Sequence, residues 1–296
     1  MLVLPVPTVT GKWAGEDVHS VTMRPSTRAT ASRENPLRTR STKAFPSTGS
    51  DTAIPVIISL ISSHIQTLTL LLSAYSEALS HPSVVGIVIG TRPDCVDEEK
   101  LDWLASLKDG RALPGWRREG FGKPVVKIEY GIESCYDRTL ERVGRGHDVA
   151  AAVKALAMSA ERGLEPGAHF ILGLPGETRE MLLDQCSFIS SLPLHSVKFH
   201  QLQIVRGTRI EKEFGTCPGD FLRLSLDDYL DLVTDILERL RPDLYIERVA
   251  GEVPPRFVNE TEWGLIRNFQ ILHLLDDRLE ARNAFQGRLF PSPACR

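Results

Sequence analysis

Glu129 and Glu133, four residues apart and followed at once by Ser134, close an apolar stretch in the run KIEYGIESCYDRTLERVGRGHD, residues 127–148. Gly122 and Pro124 bound that stretch on one side and Gly131 on the other, which predicts a strand over 125–130. Tyr136, Leu140 and Val143 then recur at helical spacing, and Ser134 or Asp137 can take the unpaired N–H groups of a first helical turn. The carboxylates therefore stand at the C-terminal end of a strand. Parallel α/β proteins gather ligands there, because backbone donors and helix dipoles converge on one crevice. Two roles stay open for the pair: ligand binding or acid–base work on one hand, an ordinary acidic turn on the other. Alternation puts Glu129 and Glu133 on the same side only if extension persists through Gly131, and the turn predicted there argues against it.

The surrounding elements place these groups. Helices are predicted over 73–79, 98–107, 134–143, 149–162 (closed by Gly163) and from the cap Thr178 to 191, then over 226–240 and 262–275. Strands are predicted over 84–89, 125–130, 168–172, 196–205 and 244–249. Strand alternating with helix implies a parallel sheet, and strands ending in polar, Gly-rich turns imply an α/β, partial TIM-like (β/α) barrel with its site at the strand C-termini. The expected organisation is an N-terminal segment over 1–72 that is disordered or non-native, a barrel over 73–250 and a small helical extension over 251–296.

Composition narrows the function. With 35 basic and 38 acidic residues the chain carries no field that would collect nucleic acid by charge. Cys95, Cys135, Cys186, Cys217 and Cys295 show no C-x2-C or similar ligand spacing, so no metal ligand is assigned, and an odd set of scattered thiols without a secretory leader suggests the reducing cytoplasm. Residues 1–52 are broken by Pro5, Pro7, Pro25, Pro36 and Pro46, and 35–50 contain no acid at all. Such a segment forms no core; an organelle transit peptide shares this composition. Residues 54–72 are long and apolar enough to suggest a membrane span, but Ser62, Ser63, His64, Gln66, Thr67 and Thr69 dilute them, and no span is expected.

Taken as an ordered set, the motifs resemble the radical S-adenosylmethionine (radical SAM) superfamily, in particular a bacterial-type, YhcC-like subfamily related to the Elp3-like and HemN-like proteins. The carrying residues run from Ile89-Gly90-Thr91-Arg92-Pro93-Asp94-Cys95 through Glu129-Tyr130-Gly131-Ile132-Glu133-Ser134 and Arg145-Gly146-His147-Asp148. His169 to Glu177, Lys198-Phe199-His200-Gln201-Leu202-Gln203 and Arg267-Asn268 complete them. The resemblance implies S-adenosylmethionine as cofactor, with Glu133 on the ribose hydroxyls and Arg145 on the methionine carboxylate. Arg92, Asp94, Ser134 and His169 would line neighbouring strand ends, Gly173 and Gly176 would let backbone approach the nucleoside, and Gln203 and Val205 would lie against adenine. Arg145 paired with Glu141 is the competing structural role.

The resemblance also implies a 4Fe–4S cluster on three N-terminal cysteines, which supplies the electron for reductive cleavage. The printed N-terminus has no such motif. Joining the third base of each codon to the first two of the next permits Ala-Gly-Phe-Thr-Cys-Pro-Asn-Arg-Asp-Gly across 1–11, Cys-Thr-Phe-Cys-Asn-Asn across 17–23 and Phe-Gln-Pro-His-Thr-Asn-Thr-Tyr-Ala across 61–70. A shifted reading frame over 1–72, with the true start upstream, is therefore expected, and with it a chain that holds no cluster as printed. The alternatives are a cluster-less binder of nucleoside or protein, and an unrelated barrel enzyme using Glu129 and Glu133. The substrate, RNA or protein among the options, and the choice between monomer and homodimer stay open.

Overall fold

A computed structural model describes residues 56–61, 68–253, 257–258, 263–264 and 266–291. Its frame is a six-stranded parallel sheet in chain order: β1 (Val56–Ile61), β2 (Val84–Thr91), β3 (Val125–Glu133), β4 (Gly167–Leu172), β5 (Ser196–Gln201) and β6 (Tyr245–Arg248). Period-two alternation explains the layering. Ile128, Tyr130 and Ile132 of β3, Ala168, Phe170 and Leu172 of β4, and Val197 and Phe199 of β5 are buried in one apolar core. The alternate residues Lys127, Glu129, His169 and Lys198 lie on the other face, where Lys127 reaches Glu247 of β6. In a flat sheet β3 and β6 would stand about 14 Å apart, so that contact requires the sheet to curl into the arc of a barrel.

Helices α1 (Leu68–Ser80), α2 (Glu98–Lys108), α3 (Asp137–Val143), α4 (Val149–Glu161), α5 (Arg179–Ser191), α6 (Arg209–Thr216), α7 (Leu226–Arg239) and α8 (Asn268–Ala281) connect and cover the strands. Their starts follow from side-chain caps: Asp97, Asp148, Thr178, Thr208 and Ser225 each accept the N–H of the residue three positions on. The register between β2 and β3 depends on Gly86, since a Cβ there would lie 2.3 Å from the Val125 carbonyl oxygen.

Several expectations change. The boundary at 72 falls inside α1, and the described elements begin at Val56; residues 1–55 lie outside the described residues. The strand expected over 196–205 stops at Gln201, because Gln201 and Gln203 turn their amides onto the Gly251 carbonyl. The helix expected over 262–275 is instead α8, six residues later, where the Gln270 side chain accepts the Arg267 N–H at 2.9 Å. α6 was not anticipated; Thr208 followed three residues on by Glu211 was its cap signal. The 251–296 extension is joined to the barrel, with Ile271, Leu275 and Leu279 in the shared core. Among the described residues no helix is long and apolar enough to cross a membrane.

Candidate functional site

The C-terminal ends of β2 and β3 bring together the charged groups picked out in the sequence. β3 does not stop at Gly131. It continues to Glu133 through a register shift against β4, and Glu133 adopts φ 74°, a left-handed conformation that a non-glycine residue holds only where its surroundings enforce it. Arg145 supplies that enforcement. Its guanidinium donates to the Gly131 carbonyl at 2.6 Å and lies 3.1 Å from Glu133 Oε1. Pairing with Glu141, the competing role, is therefore replaced by a link back to the strand end.

His147 joins the same carbonyl through Nε2 at 3.2 Å. Burial, and then the neighbouring Arg145 charge, lower its pKa, so the ring favours its neutral form. Arg92 donates from Nε to Asp94 Oδ1 at 2.8 Å, and this bond holds the Asp94 carboxyl below its ordinary value. Gly146 lies against Arg92: a Cβ there would be 3.3 Å from the guanidinium. A cluster of two guanidinium groups, two carboxylates and one imidazole thus gathers just beyond the ends of β2 and β3. His147 was part of a recognised motif but had no role assigned, because its meeting with Gly131 depends on the turn after α3.

Other expected contacts are placed differently. Ser134 is 1% exposed and faces inward, and its hydroxyl donates to Glu177. Glu177 is buried as well, and burial pushes its carboxyl up to about 7 despite hydrogen bonds from Ser134 and Thr139. Gly173 and Gly176 both have positive φ, as a close turn at the end of β4 requires. Gln203 donates to Gly251 O at 3.0 Å, and Val205 forms an antiparallel bridge with Val258, so both belong to the packing beyond β5. His169 stands deeper on the inner face, with Nε2 2.9 Å from Glu129 Oε2. Glu129 also meets Lys127 and Lys198. Its partners differ from those of Glu133, so the two acids do not form an acid–base pair.

Residues 59–189 match the family model described as the radical SAM superfamily, and residues 194–281 match that of the radical SAM C-terminal domain. The chain belongs to the radical SAM superfamily. It is 34% identical over 214 residues to the uncharacterised protein MJ0486 of Methanocaldococcus jannaschii, covering 72% of this chain and 62% of that one. It is 31% identical over 179 residues to protein YhcC of Escherichia coli, covering 60% and 53%. The chain thus spans about three fifths or less of these relatives. The structure of archaeal Methanocaldococcus infernus Elp3 superposes with a TM-score of 0.55 at 18% identity, over 69% of this chain and 43% of that one, a likeness of fold. An unrelated barrel enzyme is therefore set aside.

Radical SAM proteins use S-adenosylmethionine and a 4Fe–4S cluster. The strand-end residues suit the first: Arg145 and Arg92 offer cations to a carboxylate, Asp94 and Glu133 offer acceptors to an ammonium and a diol, and Gly173 and Gly176 keep the turn clear of Cβ atoms. The described residues do not suit the second. Cys186 is buried in α5, Cys135 is mostly buried with its thiol pushed up by desolvation, and no described group of three His, Cys, Asp or Glu side chains could hold a metal.

Proposed function

We propose that this chain is the S-adenosylmethionine-binding barrel of a radical SAM enzyme, whose reaction class is reductive cleavage of the cofactor followed by hydrogen abstraction from a substrate. The observation that carries it is the convergence of Arg145, Glu133 and His147 on Gly131 at the end of β3, beside the Arg92–Asp94 pair. Arg145 and Glu133 hold each other until a ligand arrives. S-adenosylmethionine would exchange that pair for its carboxylate on Arg145 and its ribose diol donating to Glu133, with its ammonium donating to Asp94, so each charged group keeps a hydrogen-bond partner on binding. Reductive cleavage needs three thiolates, and among the described residues Cys95, Cys135, Cys186 and Cys217 form no group that could hold a metal. The chain's own part is to seat the nucleoside. The substrate, RNA and protein included, is left to the parts of the site that the cofactor does not fill.

Calorimetric titration of the full chain with S-adenosylmethionine tests the assignment. Saturable binding is expected, weakened at least about tenfold, roughly 1.4 kcal/mol, in both Arg145→Ala and Gly131→Ala. Gly131→Ala acts because its Cβ would lie 2.3 Å from the Arg145 guanidinium and 2.7 Å from Glu133 Oε1. Absence of binding, or equal binding by folded variants, removes the proposal. Iron content and 5′-deoxyadenosine formation after anaerobic reconstitution then separate an enzyme from a cluster-less binder.

A further inference from the structure

Glu129 sits on the inner face of the sheet at 5% exposure, yet it is surrounded by cations. Its Oε1 lies 2.8 Å from Lys127 Nζ, and its Oε2 meets Lys198 Nζ and His169 Nε2, the latter at 2.9 Å. Glu247 of β6 contacts Lys127 and lies 3.6 Å from Lys198, so two lysines and two carboxylates close a neutral ring across β3, β5 and β6. Buried ion pairs add little net stability, since desolvation offsets their attraction. Stability alone does not account for such a ring. Its chemical effect is specific: burial opposes charge on Glu129, but the His169 hydrogen bond and the two lysines overcome it and hold the carboxyl well below the usual range.

An ionised carboxylate has no proton to donate, so the hydrogen between Glu129 and His169 belongs to Nε2. A neutral imidazole carries one N–H, which leaves the lone pair on Nδ1. The ring is 29% exposed on the inner face. The His200 ring stands 5.5 Å away, centroid to centroid. Burial, then the fields of His169, Arg248 and Lys198, push His200 down to about 3, so it adds no charge beside its neighbour. The groups around His169 are thus Lys127 and Glu129 on β3, Lys198 and His200 on β5, and Glu247 and Arg248 on β6.

We propose that His169, oriented by Glu129, is the acid–base group of the barrel lumen and accepts a proton from a hydroxyl or ammonium group of the substrate held there. In that step the substrate's O–H or N–H bond breaks, its electron pair stays on the heteroatom, and the proton forms a new N–H bond at Nδ1. The Glu129 carboxylate balances the imidazolium charge, and the proton returns as product forms. Glu129 is a positioning residue. The assignment rests on the proposed cofactor reading only for what lies above the lumen.

Nitrogen-15 spectra of the histidine-labelled full chain test it, with His169→Gln identifying the signals. In the neutral ring the expected tautomer has a protonated Nε2 and a bare Nδ1, and Glu129→Gln is expected to mix the tautomers. A neutral ring protonated on Nδ1 in the unaltered chain overturns the proposal whether or not any variant folds. Diethyl pyrocarbonate supplies the second readout. His169 is expected to be modified alongside the exposed His81, and S-adenosylmethionine is expected to slow His169 severalfold while leaving His81 unchanged. If calorimetry shows the cofactor bound and His169 reacts at its original rate, the lumen assignment falls and the cofactor reading stands. If the cofactor does not bind, the cofactor reading falls; a bare, reactive Nδ1 still supports the base, and an unreactive one overturns it.

Discussion

Glu177 shows how one side chain imposes a pH dependence on the fold. Its carboxyl moves from an ordinary 4.5 to about 7 because burial disfavours the charge. Between those values the folded chain keeps a proton that the unfolded chain releases, so stability is full below about pH 4.5 and declines as pH rises toward 7, by about 3 kcal/mol in all. Glu177→Gln keeps the neutral shape and removes that slope. Urea midpoints at pH 5 and pH 8 are therefore expected to diverge between the two proteins, with the variant ahead at pH 8. A constant difference across that range means Glu177 is ionised in the fold. The same residue explains why Ser134 faces inward: its hydroxyl is the partner that a buried carboxyl at the β4 turn requires.

At the level of elements, α8 is held to α7 by a ladder of charge as well as by Ile271, Leu275 and Leu279. Arg278 reaches Asp227 and Asp231, Arg282 reaches Asp235 and Glu238, and Arg288 reaches Glu238, which is only 1% exposed. Glu238→Ala leaves two guanidinium groups without that partner. The arginines are partly exposed, so water offsets some of the loss, and about 2 kcal/mol of destabilisation is expected, measured by urea unfolding. Hydrogen exchange should quicken most along α8. Unchanged protection there would show that the apolar contacts suffice. The caps of α5 and α7, Thr178 and Ser225, were available from local sequence alone. α8 was misplaced by six residues because the apolar spacing of 262–275 outweighed its start, where arginine, a residue that cannot cap through its side chain, stands at the N-cap and Gln270 reaches back to its N–H.

Across the whole molecule, the shifted-frame account of residues 1–72 makes a nucleotide-level prediction. Reading the transcript is expected to find codons that spell one cysteine in the alternative frame across residues 1–11 and two across 17–23, and codons that forbid them dispose of the account. β2, β3, β4 and β5 were legible in advance to within a few residues, because buried parallel strands are short apolar runs bounded by glycine and proline. The strand-end set of Arg92, Asp94, Glu133 and Arg145 was legible too, since motif order along the chain maps onto strand order in a sequentially wound sheet. The partners were not. Lys127 and Glu247 are 120 residues apart, and only curvature of the sheet brings them together. The left-handed Glu133, which carries β3 past Gly131, is likewise held by Arg145 from the turn after α3. Sequence by itself determined the layers, the handful of turns at the strand ends and the family, because these follow from local periodicity and short motifs. The tertiary structure alone decided which charges meet on the inner face, because alternation assigns a residue to a side of the sheet but says nothing of how far that side bends.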